Sequence, residues 1–245
     1  MHGTNPRLKS RSRHVATGIA ICLAALAVVA CSYSGGIENP LTRKATWFSY
    51  LNGDDIRERC GEAPERFEVR LIYNGNFEEQ VRSYEIRGEP GGGARLTARA
   101  MPEDAGNLLK FRLRDPLATG RWKTATRTLD AEARDRLTRR LADSGVFARA
   151  PSGIDLKSWG TYWVSIACRG GELTFNAWPK GSPRWDRQDL WDVVQPLDAT
   201  GVPFYPPHPA RFEDSPTLTR SGDDRRRAAT HFLMTTGDNG LVGLP

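Results

Sequence analysis

Histidine and lysine are scarce in this sequence of 245 residues, and their scarcity argues against several kinds of catalytic site. Beyond residue 31 only His208 and His231 remain, so a zinc site and a Ser-His-Asp triad are poorly supplied. The sequence has no Gly-x-Ser-x-Gly, His-Glu-x-x-His or P-loop motif, and no Ser stands three residues before any lysine beyond residue 31. We therefore predict no catalytic residue, no metal site and no cofactor.

Acidic residues are absent from the first 30 positions, and this absence distorts the overall charge of +6. Arg7, Lys9, Arg11 and Arg13 supply four of the 35 basic residues, so the remaining 31 basic residues face 29 acidic ones. Beyond its N-terminus the chain is nearly neutral and lacks the basic excess that nucleic-acid binding needs. We predict no nucleic-acid partner.

Long apolar runs are also rare, since only residues 15–30 form one longer than a dozen residues. These 16 residues are fewer than the roughly 20 that a membrane-spanning helix requires. A basic start, a short apolar run and small residues at its end are typical of a secretory signal peptide. Two alternatives stay open, namely an uncleaved N-terminal anchor helix and an ordinary signal peptide followed by an incidental Cys31.

The end of this run, Val28-Val29-Ala30-Cys31, resembles the lipobox of bacterial lipoprotein precursors. The resemblance implies cleavage between Ala30 and Cys31, a diacylglycerol on the Cys31 thiol, and acylation of the new amino group, with palmitate among the chains. Two or three acyl chains hold a protein durably at a membrane. Ser32 replaces the Asp that retains many such lipoproteins at the inner membrane, which favours the outer membrane over the inner one.

Two further segments, WFSYLNGDDIR and RLIYNGNFEEQVRSYEIR, are similar to segments of uncharacterised proteobacterial cell-envelope lipoproteins. That resemblance implies a location at the cell envelope, facing the periplasm, and brings no activity with it.

Two cysteines, Cys60 and Cys168, remain once Cys31 is lipidated and Cys22 leaves with the signal peptide. In an oxidising compartment an even pair favours a disulfide. We therefore predict a Cys60–Cys168 bridge, which closes a loop of about 100 residues and stabilises the fold by up to about 4.7 kcal/mol in the chain-entropy model.

The chain divides by composition into four parts. We predict a signal peptide at 1–30, a tether at 31–40, one domain at 41–198 and a Pro-rich, largely extended or disordered tail at 199–245. Residues 231–234 form an apolar island in that tail, and docking of this island onto the domain is the alternative.

The domain is predicted to be α+β, with an antiparallel β-meander and a second β-hairpin packed against two or three helices. Residues 66–87 form the first hairpin of the meander. A three-residue loop at 74–76 then places Val69 opposite Val81, and a bulge at 82–83 explains the later change of apolar parity. Further strands are predicted at 96–100, 109–113 and 122–128.

Gly and Pro residues mark the turns and helix ends in the rest of the domain. A two-residue Gly170-Gly171 turn predicts a second hairpin that places Ile166 opposite Phe175 and Trp163 opposite Trp178. The sequence also predicts helices at 41–52, 54–59, 131–144 and 183–197, with Asp130 as the N-cap of the third.

Tryptophan supplies the only candidate binding surface, because Trp159, Trp163, Trp178 and Trp185 lie around the second hairpin. Trp is enriched at binding interfaces. One interpretation is an exposed Trp163–Trp178 patch that binds an envelope protein or a glycan, and the other is that a neighbouring helix covers these side chains.

Two functions follow from these observations. The first is a lipid-anchored, non-catalytic binding or accessory module of the cell envelope, with the membrane as one partner. The alternative is a periplasmic hydrolase that uses a pair of carboxylates on a cell-envelope polymer.

Overall fold

The structure, a computed structural model, describes residues 43–63, 65–76, 80–101, 122–204 and 232–242. The predicted signal peptide, Cys31 and the tether lie outside the described residues, as does the strand predicted at 109–113. None of the helices in the described part of the chain is long and apolar enough to cross a membrane.

Four α-helices and nine β-strands occur in the described ranges. The helices are α1 (Arg43–Asn52), α2 (Asp54–Cys60), α3 (Ala131–Asp143) and α4 (Leu190–Val194), and 3₁₀ turns at Trp185–Arg187 and Gln195–Leu197 flank α4. The strands are β1 (Phe67–Gly75), β2 (Val81–Gly88), β3 (Ala94–Ala100), β4 (Lys123–Leu129), β5 (Asp155–Lys157), β6 (Thr161–Arg169), β7 (Glu172–Pro179), β8 (Leu233–Thr236) and β9 (Leu241–Val242).

The six longer strands form one antiparallel sheet in the order β4-β3-β2-β1-β6-β7, and β5, β8 and β9 form a smaller antiparallel sheet. The predicted α+β class is confirmed. The second hairpin does not form a separate unit, because β6 pairs with β1 and joins the hairpin to the meander.

The first hairpin has a different register from the predicted one. Val69 lies opposite Ile86 rather than Val81, and Asn74 lies opposite Val81. The connection between the strands therefore spans residues 76–80, and the Gly75 N–H donates to the Gln80 carbonyl across its base at 2.8 Å. The pairing from Val81 to Arg87 is continuous, so the predicted bulge is wrong.

The second hairpin is confirmed residue by residue. Ile166 lies opposite Phe175 and Trp163 opposite Trp178, around a turn in which Gly170 and Gly171 both have positive φ. Two glycines adopt this turn without steric cost, and the turn length fixes the register.

Both faces of the large sheet are buried at its central strands. We call one the disulfide face; it carries Ile72, Ile166 and Phe175 and packs against α1, α2 and the small sheet. The other is the tryptophan face, which carries Leu71 and Leu96 and packs against α3 and α4. The sheet is therefore the middle layer of the domain.

Gly53 joins α1 to α2 in the left-handed conformation, with φ of 71°. A Cβ built on Gly53 would lie 2.5 Å from Cγ2 of Ile166, so only glycine lets the helix junction approach the sheet this closely. This junction seats α2 over β6, where Cys60 forms a disulfide with Cys168 across a Cα–Cα distance of 5.5 Å. The predicted bridge is present.

Helix α3 begins as predicted, since the Asp130 carboxylate accepts a hydrogen bond from the Ala133 N–H at 2.7 Å. The helix predicted at 183–197 is broken instead into α4 and its flanking 3₁₀ turns. Pro196 has no N–H to donate, so it cannot continue a regular α-helical ladder.

The C-terminal boundary predicted at residue 198 needs correction. Residues 232–242 belong to the domain, because β8 pairs with β5 and Met234 is fully buried. Asn239 closes the sheet edge further, accepting from the Phe175 N–H at 2.8 Å and donating to the Leu173 carbonyl at 3.0 Å. Docking of the apolar island is therefore the correct alternative, while residues 205–231 lie outside the described part of the chain.

Candidate functional site

The predicted tryptophan surface is not exposed. Trp163 and Trp178 lie opposite each other as expected, but only 1% and 3% of their surfaces are accessible. Leu141 of α3 and Val194 of α4 belong to the same buried cluster. The hypothesis of an exposed Trp163–Trp178 patch is wrong, and coverage by neighbouring helices is the correct interpretation.

The other two candidates do not complete such a surface. Trp185 is half-buried and packs against the same cluster as Trp163 and Trp178, whereas Trp159 lies in the turn between β5 and β6 and is not part of that cluster. The structure therefore brings three of the four tryptophans together, as core rather than as an open platform.

A buried charge cluster lies on the disulfide face, where Arg70 of β1 is fully buried. Its guanidinium donates to both oxygens of Asp55 at 2.8 and 2.7 Å, to the Tyr50 carbonyl at 2.9 Å and to Glu85 at 3.2 Å. The Tyr50 ring lies beneath it, 3.8 Å from the guanidinium carbon. Arg70 thus ties both N-terminal helices to the sheet.

Further arginines surround the two carboxylates. Arg59 contacts Asp55 at 3.1 Å, and Arg99 and Arg87 approach Glu85 at 3.2 and 3.5 Å. Burial raises the pKa of Asp55 and of Glu85, but the hydrogen bonds and positive charges of the arginines outweigh it, so both pKa values lie below the ordinary range. Two carboxylates that arginines hold in the ionised form suit a structural role.

A second network fixes the chain beyond α4. Arg82, which is buried, binds Asp198 at 2.6 Å and the carbonyls of Val202 and Pro203 at 2.7 and 2.6 Å, and the Tyr84 hydroxyl donates to Asp198 at 2.8 Å. All polar contacts of this group are therefore internal to the fold, and residues 198–204 are held against the tryptophan face.

A pocket of about 210 Å³ opens where α3 ends beside β7. Its walls come from the end of α3 and the following turn, from β7 and from the segment around the first 3₁₀ turn: Asp143, Ser144, Gly145, Ala148, Asn176, Trp178, Arg184 and Arg187. This pocket is a concave, partly polar surface on the described residues, and it is our candidate functional site.

The back of the pocket is built around Asn176, which is buried. Its amide donates to the Gly145 carbonyl at 2.8 Å, and its oxygen accepts from the Ala177 N–H at 2.9 Å and from the Arg184 guanidinium. Arg184 also donates through Nε to the Ala177 carbonyl at 3.2 Å. Asn176 therefore fixes both the turn after α3 and the orientation of Arg184.

The two arginines of the pocket have no acidic partner among the described residues. Arg184 contacts only neutral oxygens, and Arg187 is exposed. Partial burial, and then the like charge of Arg187, lower the pKa of Arg184 below the ordinary range of arginine. Two neighbouring guanidinium groups without a counter-charge can bind an anion.

One wall of the pocket contains a hydroxyl, Ser144, whose Oγ donates to Asp189. Burial raises the pKa of Asp189, but hydrogen bonds from Ser144 and Arg140 and the charge of Arg140 lower it overall. A carboxylate with a lowered pKa is a weak base, so it activates a serine poorly. Within the described ranges, no cluster of three or more His, Cys, Asp or Glu side chains is arranged to hold a metal ion.

Sequence reasoning did not find Arg184 and Arg187, because arginines are common in this chain and nothing in their spacing marks a site. The nearest signal was Trp178, which does line the pocket. In comparisons with known proteins, no family model, no curated protein and no solved structure matches this chain.

Proposed function

We propose that this chain is a lipid-anchored lipoprotein of the bacterial cell envelope whose domain faces the periplasm and serves as a non-catalytic binding or accessory module. The lipobox Val28-Val29-Ala30-Cys31, behind a basic start and a short apolar run, supports the anchor. Each buried CH₂ of an acyl chain contributes about 0.8 kcal/mol, so two or three chains make a durable anchor. Ser32 favours the outer membrane over the inner one.

The Cys60–Cys168 disulfide supports export. Disulfides form and persist in oxidising compartments such as the bacterial periplasm, and they are rare in the cytosol. A bridge that ties the second helix to a central strand fits a domain that folds after it has left the cytoplasm.

The main support for a non-catalytic role comes from the hydrogen-bond partners and pKa values of four carboxylates. Asp55, Glu85, Asp189 and Asp198 are bound by arginine, serine, threonine or tyrosine side chains, and their pKa values are lowered. A hydrolase that uses paired carboxylates needs one of them with a raised pKa, protonated at neutral pH. These four carboxylates therefore do not favour the hydrolase, whereas Arg184 and Arg187 give the pocket, which we call the arginine pocket, two groups that can bind an anion.

Metabolic labelling with radioactive palmitate tests the anchor. The wild-type chain and Cys22→Ser should incorporate the label and sediment with membranes, because Cys22 lies inside the predicted signal peptide. Cys31→Ser should lose the label and should not be cleaved at residue 31. Label retained by Cys31→Ser would refute the anchor, and density-gradient separation of the two membranes tests the outer-membrane assignment.

Affinity capture from detergent-solubilised envelopes, with the acylated protein as bait, tests the binding role. We expect the wild-type bait to capture an envelope protein or glycan in stoichiometric amount. The Arg187→Gln variant, used as bait in the same way, should not retain it. Soluble fragments released from isolated envelope polymer by the purified protein would instead support the hydrolase and contradict the non-catalytic role.

A further inference from the structure

The side chains of the arginine pocket limit the class of ligand that it can bind. Arg184 is held in place by the Ala177 carbonyl at 3.2 Å and by the Asn176 side-chain oxygen, so its guanidinium is positioned before any ligand arrives. A fixed guanidinium loses little conformational freedom on binding. The same wall presents Arg187 as a second, exposed donor.

The charge around the pocket limits how negative a ligand can be. Asp143 lies on its rim, and the last carbonyls of α3 point toward this end of the helix, where the helix dipole is negative. The positive charge of the two guanidinium groups is therefore partly offset by the Asp143 carboxylate and by the negative end of the α3 dipole. This balance favours a singly charged anion over a dianion such as phosphate.

Part of the pocket lining is apolar. The Trp178 indole and the Ala148 methyl group line the pocket beside the arginines. A cavity of about 210 Å³ is smaller than the 300–1,000 Å³ typical of pockets for drug-sized molecules. It suits a ligand that has one charged group and a short apolar portion.

We propose that this pocket binds a small organic monocarboxylate, whose carboxylate contacts Arg184 and Arg187 while its apolar portion contacts Trp178 and Ala148. The inference deepens the proposed binding role and rests on it. Guanidinium groups bind planar carboxylates through paired N–H donors, which gives the site both its affinity and its orientation.

Butyrate, with butyramide as its neutral isostere, is the probe. The full chain, labelled with ¹⁵N and purified in detergent, is titrated at constant ionic strength, and the arginine Nε–H and tryptophan indole N–H resonances are followed by NMR. We expect saturable shifts at Arg184 and Trp178 with butyrate and a dissociation constant of about 1–10 mM, as befits a ligand of six heavy atoms. Butyramide and inorganic phosphate should each bind at least about tenfold more weakly.

Arg187→Gln is the decisive variant, because Arg187 is exposed and has no partner among the described residues, so its loss leaves the fold intact. It should weaken butyrate binding about tenfold, the usual effect of removing one charge-assisted hydrogen bond. Arg139→Gln, which removes an exposed charge from the middle of α3, is the matched control and should bind as the wild type does. Arg184→Lys keeps the charge but loses the paired donors, so it should also weaken binding.

Three results would overturn the inference: butyramide binding as tightly as butyrate, phosphate binding more tightly than butyrate, or Arg187→Gln binding like the wild type. Failure here is distinguishable from failure of the proposed function. If the protein carries palmitate on Cys31 but does not bind butyrate, the carboxylate site is refuted and the lipid anchor stands. If it binds butyrate but carries no palmitate, the lipid anchor is refuted and the carboxylate site stands.

Discussion

Replacing Arg70 with methionine should destabilise the domain more than any change to an exposed arginine. Arg70 is fully buried, and its hydrogen bonds at 2.7–3.2 Å include three to the carboxylates of Asp55 and Glu85 and one to the Tyr50 carbonyl. Removing one partner of a buried ion pair costs about 3–5 kcal/mol, because it leaves an uncompensated charge away from water. Arg59 and Arg99 still contact the two carboxylates, so we expect a loss near the lower limit, about 3 kcal/mol.

Urea unfolding of the detergent-purified protein, followed by tryptophan fluorescence with the disulfide intact, measures this loss. Arg95→Met is the matched control, because Arg95 also lies on the sheet and pairs with Glu89 but its side chain is 61% exposed. An exposed pair contributes about 1 kcal/mol or less. The double variant Arg70→Met/Asp55→Asn should lose less than the sum of its two single variants, since the pair is removed together. Equal losses for Arg70→Met and Arg95→Met, or strict additivity, would refute the role assigned to Arg70.

Three further predictions follow from the fold. Replacing Cys60 and Cys168 together with alanine should lower the free energy of unfolding by about 4.8 kcal/mol, the chain-entropy value for a separation of 108 residues; a urea-midpoint shift no larger than that of an exposed substitution would contradict this. Because the pKa values of Asp55 and Glu85 are lowered in the fold, their contribution to stability is complete above the ordinary carboxyl pKa near 4 and should disappear as the pH falls below it, which urea unfolding between pH 7 and pH 2.5 measures. Gly53→Ala should cost about 2 kcal/mol because of the positive φ and the contact with β6, and a thermal midpoint equal to that of the wild type would show that α1 and α2 can separate from the sheet.

The two hairpins show what local sequence decides. In the second hairpin the Gly170-Gly171 turn fixes the register, and every predicted pair occurs. In the first, Asn74-Gly75-Asn76 resembles a tight turn, but Asn74 and Gly75 belong to β1 and Asn74 pairs with Val81, so the predicted register is wrong. An Asn-Gly pair tolerates a turn without requiring it, because β-strands also accommodate these residues when the neighbouring strands pair well.

Charge complementarity would have identified the correct register of the first hairpin. In the observed pairing Arg70 lies opposite Glu85 and Glu68 opposite Arg87, so both polar pairs join opposite charges. The predicted register placed Arg70 opposite Gln80. Alternating apolar residues alone fit several registers, whereas opposite charges at two positions select one. The same error concealed the buried charge cluster, since that cluster depends on the cross-strand contact of Arg70 with Glu85.

Long-range contacts explain the remaining differences. The apolar island at residues 231–234 is too short to predict a strand by itself, and β8 forms because its backbone pairs with β5, almost 80 residues away in sequence. Asn239 then replaces a missing strand neighbour at the edge of β7. Trp163 and Trp178 are buried because α3 and α4, which flank the second hairpin in sequence, pack over them in the fold. Periodicity predicts which residues share a face, and only the assembled fold decides whether that face meets water.

The layered fold separates the proposed anchor from the proposed ligand. Helix α1, the described element that follows the predicted tether, packs on the disulfide face, whereas Trp178 and the arginine pocket belong to the tryptophan face. Residues 31–42 span at most about 43 Å when fully extended, so acyl chains on Cys31 would hold the domain within that distance of the membrane. Because α1 and the pocket lie on opposite faces of one sheet, the proposed anchor would leave the pocket open if the disulfide face were the one that contacts the membrane. The proposed anchor and the proposed carboxylate site are therefore compatible with each other in one fold.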